Sequence, residues 1–360
     1  MARAWIEGKP APLERAVGEA AKLLAASYCP LIAGLGTDIA GARAAITLAE
    51  RIGAAIDHMH SDALFRDLAV MRETGMMLTT PSEARLRADM LVLVGPGLQD
   101  AWTDFTQRSD NVAATPGIIW ICPGRGAGSA RGAAITTVGR DAGELPIVLA
   151  ALRARIAGRP LGKTVVAAKA LDDLVTRLKA ARFGVAVWSA AHLDPLVIEM
   201  LCGIVADLNA ETRFSGYPLA PDDNAIGVLQ ACGWMTGFPM RTGFGRGYPE
   251  HDPWRFDGGR MAATGEADCM LWVSAYRATM PTHDVHGPVI ALTTGDAARS
   301  GSPAIQIEVG RPGTDHDGIA HHAALGTLAS FAATQRSDAI SVADAIERIV
   351  AALPGERAPP

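Results

Sequence analysis

Seven short, almost uninterrupted apolar runs punctuate the chain: CPLIAG (29–34), MLVLVG (90–95), GIIWIC (117–122), FGVAVW (183–188), CMLWVS (269–274), PVIALTT (288–294) and AIQIEV (304–309). A strand buried on both faces reads this way, because neither face has to carry polar groups. Between the runs lie longer, Ala-rich amphipathic stretches, which predict helices over 12–26, 38–52, 143–157, 164–181, 194–210, 221–231 and 342–353. Such alternation predicts an α/β protein with parallel, doubly wound sheets. Gly and Pro crowd residues 216–259. That stretch predicts an ordered loop in place of a regular helix or central strand. Its Trp and Tyr residues set it apart from a linker.

Composition narrows the function classes. The chain has 360 residues, with 33 Lys+Arg against 38 Asp+Glu, a net charge of −5 and 49% hydrophobic residues. Those values exclude a disordered chain and argue against a nucleic-acid partner. No run reaches the roughly 18 apolar residues of a membrane helix, and the opening residues lack a signal-peptide pattern. The expectation is a cytoplasmic protein with no membrane partner. A mean hydropathy of +0.16 without long apolar runs predicts apolar surface covered by a neighbouring chain. The length predicts two domains, which the pattern alone would divide near residue 160. Cysteines at 29, 122, 202, 232 and 269 are scattered and never paired as CxxC. They predict no disulfide framework, no thiolate zinc site and no iron–sulfur cluster.

Three motifs compete for a chemical role. GLGTDIAGARAA (34–45) carries a strand into a helix through two glycines, but the third glycine of a dinucleotide fingerprint is replaced by Ile39. A tight turn capped by Thr37 is the preferred reading. The pair His58 and His60, after Asp57, could serve zinc only with a further ligand from His283, His286, His316, His321 or His322. Asp315-His316-Asp317 and His321-His322 read as solvated loop and helix-start residues. In the loop at 234–254, Arg241, Arg246 and Arg255 lie among glycines and aromatics. That combination suits an anionic ligand, though a loop held by its own rings against a domain or a neighbouring chain is the more economical reading. No GxSxG elbow, Walker loop or HExxH is present.

Certain segments resemble a known family. CPLIAGLGTDIAGARAAITLAERIGAAIDH (29–58), RADMLVLVGPG (87–97), GWMTGFPMRTGFGRGYPEHDP (233–253) and EADCMLWVSAY (266–276) resemble the B subunit of formylmethanofuran dehydrogenase, a molybdopterin-oxidoreductase homologue. The 233–253 stretch is the most specific, with Trp234, Thr236, Gly237, Pro239, Arg246, Gly247, Tyr248, Pro249 and Pro253 at matching places. The family's metal-ligating Cys or selenocysteine falls near His60-Ser61-Asp62-Ala63-Leu64, where no sulfur is found. Its upstream cluster cysteines and the Asn-Pro after the second strand are also missing.

That pattern resembles the cofactor-less B subunit of the bacterial formyltransferase/hydrolase complex. The resemblance implies two doubly wound, mostly parallel-sheet domains, with residues 61–239 inserted into a domain made of 1–60 and 240–360. It implies a non-catalytic structural subunit with neither molybdopterin nor iron–sulfur cluster. Its partners would be a formyltransferase subunit, an amidohydrolase-like subunit and a small C subunit. Such an assembly moves a formyl group from formyl-tetrahydromethanopterin to a methanofuran analogue, bound by the complex, and releases formate. Arg66, Arg241, Arg246 and Tyr248 are then candidate contacts for an anionic carrier in a relic crevice. The alternative is an active dehydrogenase-type subunit holding a pterin without a Cys ligand, with His60, Ser61 or Asp62 nearby.

Overall fold

The computed structural model describes residues 3–98, 117–124, 135–282, 285–295 and 303–355. All seven apolar runs form strands and all seven amphipathic stretches contain helices, so the protein is a mixed α/β fold with parallel sheets. Two compact units result: residues 1–61, 222–321 and 328–360 form the first, and residues 62–221 and 322–327 the second.

The first unit is built on a nine-stranded sheet. Its inner strands Ala55–Ile56, Pro30–Gly36, Cys269–Ser274, Val289–Thr293 and Ile305–Glu308 run parallel in that spatial order. Antiparallel strands close both sides: Thr242–Gly243 and Glu250–His251 beyond Ala55–Ile56, and Ala4–Ile6 and Lys9–Ala11 beyond Ile305–Glu308. Every residue of Pro30–Gly36 and of Cys269–Ser274 is buried, as continuous apolar runs require. The backbones come close enough at Gly34, φ 78°, that a Cβ there would lie 2.6 Å from the Val273 carbonyl oxygen.

Helix Ile39–Ile52 follows directly from the first strand. Its cap is Asp38, whose carboxylate accepts from the Gly41 N–H, so Thr37 does not cap it as the sequence suggests. Asp38 stands one residue nearer the helix than Thr37, at the position from which a side-chain oxygen reaches the free N–H groups. Gly53 in the left-handed region ends the helix. Helix Val342–Ala352, opened by a Ser341/Asp344 capping box, packs its Val342, Ala345, Ile346 and Ile349 inward against helices Ile39–Ile52 and Leu13–Ala26.

The second unit holds a five-stranded, wholly parallel sheet in the order Ile135–Val138, Gly117–Ile121, Met90–Val94, Gly184–Trp188, Phe214–Pro218. Strand alternation sends Met90, Val92 and Val94 to one apolar cluster and Leu91 and Leu93 to another, so both faces are covered.

The Gly- and Pro-rich stretch departs from the expected loop in its first half. Its start is the edge strand Phe214–Pro218, where a proline costs no ladder bond. Helix Ala225–Thr236 then runs through Gly233 to a left-handed Gly237 cap. Because this helix packs against Ile39–Ile52, the chain rejoins the first unit at Asp222, earlier than residue 240. Helices Ser61–Glu73 and Pro81–Arg87 were not expected. His321 and His322 end a strand, Gly318–His322, paired with Thr327–Phe331, and do not start a helix.

Candidate functional site

The strand Pro30–Gly36 has its sequence successor Ala55–Ile56 on one side and Cys269–Ser274 on the other. An open α/β sheet leaves a crevice beyond the carboxyl ends at such a switch of direction. Here that position is filled by Asp223 and Asn224. Both stand at positive φ, 56° and 60°, a region in which Asp and Asn are the better-tolerated side chains. The Pro-Asp-Asp-Asn run before the helix is the one sequence signal for this turn.

Around the turn the bonds are well defined. His58 is buried; its Nδ1 accepts from the His60 N–H (3.0 Å), so its Nε2 carries the proton and donates to the Asp223 carbonyl (3.2 Å). His60 Nε2 lies 3.0 Å from Asp223 Oδ2, and Arg277 Nε lies 3.3 Å from Asp223 Oδ1. Arg277 also pairs with Asp222. Burial holds His58 down at about 4. Asp223 is held below the usual carboxylate range: burial opposes ionisation, but His60 and Arg277 together outweigh it. Asn224 donates to the Thr37 carbonyl and accepts from the His321 N–H, both at 2.8 Å.

The HxH pair therefore serves this turn. Both ring nitrogens of His58 are taken, and among the described residues no group of three or more His, Cys, Asp or Glu is arranged to hold a metal ion. His283 lies outside the described residues. Where the resemblance puts a metal ligand there is no sulfur, and Asp62, the carboxylate of that segment, is exposed at the start of helix Ser61–Glu73. The Ser61 hydroxyl accepts from the His58 N–H at 3.1 Å, and Ala63 and Leu64 are buried apolar side chains. The five cysteines are unpaired. Burial pushes Cys122 and Cys202 to about 11 and Cys269 to about 12, and raises Cys29 and Cys232, so none is a ready thiolate.

The four candidate carrier contacts separate. Arg241 turns inward. Its Nε is 3.4 Å from Asp57 Oδ2, its Nη2 2.6 Å from Asp257 Oδ2, and its Nη1 donates to the Pro253 carbonyl at 3.0 Å. Asp57 also accepts from the Gly258 and His58 N–H groups, and burial raises it to about 6 against the pull of Arg241. This buried ion pair anchors the loop, which corrects its reading as an open contact. Arg246, exposed, pairs with Glu250 at 3.1 Å, and Tyr248 is half exposed. Arg66 belongs to the second unit, where its Nη1 donates to the Ala190 and Ala191 carbonyls at 2.8 and 3.2 Å. The end of helix Ala225–Thr236 and the loop that follows it expose Trp234, Met235, Phe238 and Trp254. Phe238 stacks on His251 at 6.1 Å and the Arg260 guanidinium covers the Trp254 ring at 4.5 Å. Among the described residues no helix is long and apolar enough to cross a membrane.

No family model matches the chain. It is 37% identical over 341 residues to the B subunit of the formyltransferase/hydrolase complex Fhc of Methylorubrum extorquens, with 91% of this chain and 90% of that protein covered. To the B subunit of the tungsten-containing formylmethanofuran dehydrogenase 2 of Methanocaldococcus jannaschii it is 28% identical over 287 residues, covering 74% and 65%. A chain in the crystal structure of the formyltransferase/hydrolase complex FhcABCD from Methylorubrum extorquens, in complex with methylofuran, superposes with a TM-score of 0.84 at 33% identity, covering 96% and 97%.

Proposed function

This chain belongs to the B-subunit family of the formyltransferase/hydrolase complex, and from that membership we propose that it is a structural, non-catalytic subunit of such a complex. The assembly moves a formyl group from formyl-tetrahydromethanopterin to a methanofuran analogue and releases formate, with the chemistry on its formyltransferase and amidohydrolase-like subunits. The observation that carries the reading is the segment Ser61–Leu64. Ser61 is bonded within the fold, Asp62 is an exposed carboxylate, and Ala63 and Leu64 are buried hydrocarbon, so the segment offers molybdenum or tungsten no sulfur ligand. The inert, dispersed cysteines support it further. The exposed aromatic groups at 234–254 have the composition of a protein–protein contact. We also read both units as doubly wound domains of molybdopterin-oxidoreductase type, one inserted in the other, in a cytoplasmic assembly. The strand orders, each changing direction about a central strand, support the doubly wound reading.

Metal analysis of the purified complex tests the reading. Molybdenum, tungsten and iron attributable to this chain are expected far below one per chain. Stoichiometric molybdenum or tungsten would instead establish the alternative, a dehydrogenase-type subunit without a Cys ligand. For an anionic carrier the remaining contacts are Arg246 and Tyr248, whose side chains face solvent.

A further inference from the structure

We propose that the Asp223–Asn224 turn is a built-in ligand of the first unit, filling the strand-end crevice and excluding anions, phosphates above all. The inference deepens the reading of a chain without a cofactor and rests on it. A ligand at such a switch point touches the ends of several strands at once. The turn does the same. Asn224 bridges the Thr37 carbonyl and the His321 N–H, while Asp223 gathers His58, His60 and Arg277. Four separate stretches of chain meet on two residues. Fit is close: a Cβ on Gly36 would come within 3.3 Å of the Asp223 Cβ. An anion would ordinarily seek the N–H groups at the start of helix Ile39–Ile52. There the Asp38 carboxylate already accepts from Gly41 at 3.0 Å. An incoming phosphate would thus meet two buried carboxylates, Asp38 and Asp223, each repelling it. The positive φ of both turn residues persists because the surroundings hold it.

If the turn is a plug, removing its charge should uncover an anion site at His60 and Arg277, with Asp222 left as the remaining carboxylate on Arg277. The test is calorimetric titration of inorganic pyrophosphate into the native assembly and into assemblies carrying Asp223→Ser or Asp223→Asn. Native assembly is expected to show no saturable binding attributable to this chain. Asp223→Ser is expected to bind saturably, roughly tenfold or more tightly than the weakest binding the titration detects, and to lose that binding when Arg277→Ala is added. Should Asp223→Ser fail to fold, Asp223→Asn, which keeps the shape of the turn, must show a smaller gain of the same kind. Saturable native binding abolished by Arg277→Ala would overturn the proposal, as would folded variants that gain nothing. Metal and pterin content of the same preparations reports separately on the proposed function.

Discussion

Beyond the strand ends of the nine-stranded sheet lies a mesh of charged and polar side chains, whereas the five-stranded sheet is gripped on both faces by hydrocarbon. In the first unit Asp57, His58, Asp223 and Arg241 are buried, and each is satisfied by partners on distant segments. In the second unit the fully buried Trp188 fills the core and makes a polar bond from its Nε1 to Asp67 Oδ1 at 2.9 Å, as Trp120 Nε1 does to the Gly95 carbonyl. Polar meshes specify a geometry but tie stability to protonation. Apolar packing ties it to volume.

That contrast can be broken most strongly by cutting each unit at its centre. Asp57→Ala leaves Arg241 buried without one of its carboxylates and should cost about 3–5 kcal/mol; adding Arg241→Met should restore part of the loss. Trp188→Ala should cost about 3–5 kcal/mol through a cavity, with no second substitution expected to repair it. Chemical denaturation of the full chain reads both, and equal rescue in the two cases would remove the distinction.

Next in size is the proton dependence of His58. Its pKa is lower folded, about 4, than in the ordinary state, 6.5. The unfolded chain therefore takes up protons first as pH falls. Its contribution is complete above about 6.5 and is lost down to about 4, amounting to about 3 kcal/mol. His58→Asn should flatten the stability–pH curve over that window relative to the unaltered chain.

Asp67 gives the opposite sign in the other unit. Burial raises it to about 6, with Trp188 pulling the other way, so the fold favours its protonated form. Stability from that form is present below about 3.8 and lost as pH rises through 6. Asp67→Asn, still able to accept from Trp188, should therefore be stabilising by about 1–3 kcal/mol at pH 8 and nearly neutral at pH 4. A loss at pH 8 would mean that this unit too depends on a buried charge. The smallest effect is reserved for Arg246→Ala, an exposed side chain paired with Glu250. It should leave the melting temperature unchanged while weakening any carrier contact, seen as a raised KM of the assembly for the formyl carrier; an unchanged KM removes Arg246 from that role.

What the sequence discloses follows the same division. The parallel strands were legible because Met90–Val94 or Cys269–Ser274 have no polar face to confuse the pattern. Helix Ser61–Glu73 was not, since SDALFRDLAVMRE mixes charge and hydrocarbon with a weaker amphipathic signal. The site was the least legible part. Asp223 meets His60 across 163 positions of sequence, and local spacing carries no trace of such a partnership. HxH invited a metal reading because spacing shows which side chains are near in sequence and nothing about which carbonyls and carboxylates will use up their nitrogens. Arg241 and Arg246 look alike among the glycines; only the fold turns one inward to Asp57 and leaves the other in water.

The bond between His60 and Asp223 has an architectural consequence. It joins the residues just before and just after the long segment 62–221, so the host unit's two cut ends are already side by side. Apart from the brief return at 322–327, the segment is entered and left at one point, so a short linker could bypass it without rethreading the surrounding sheet.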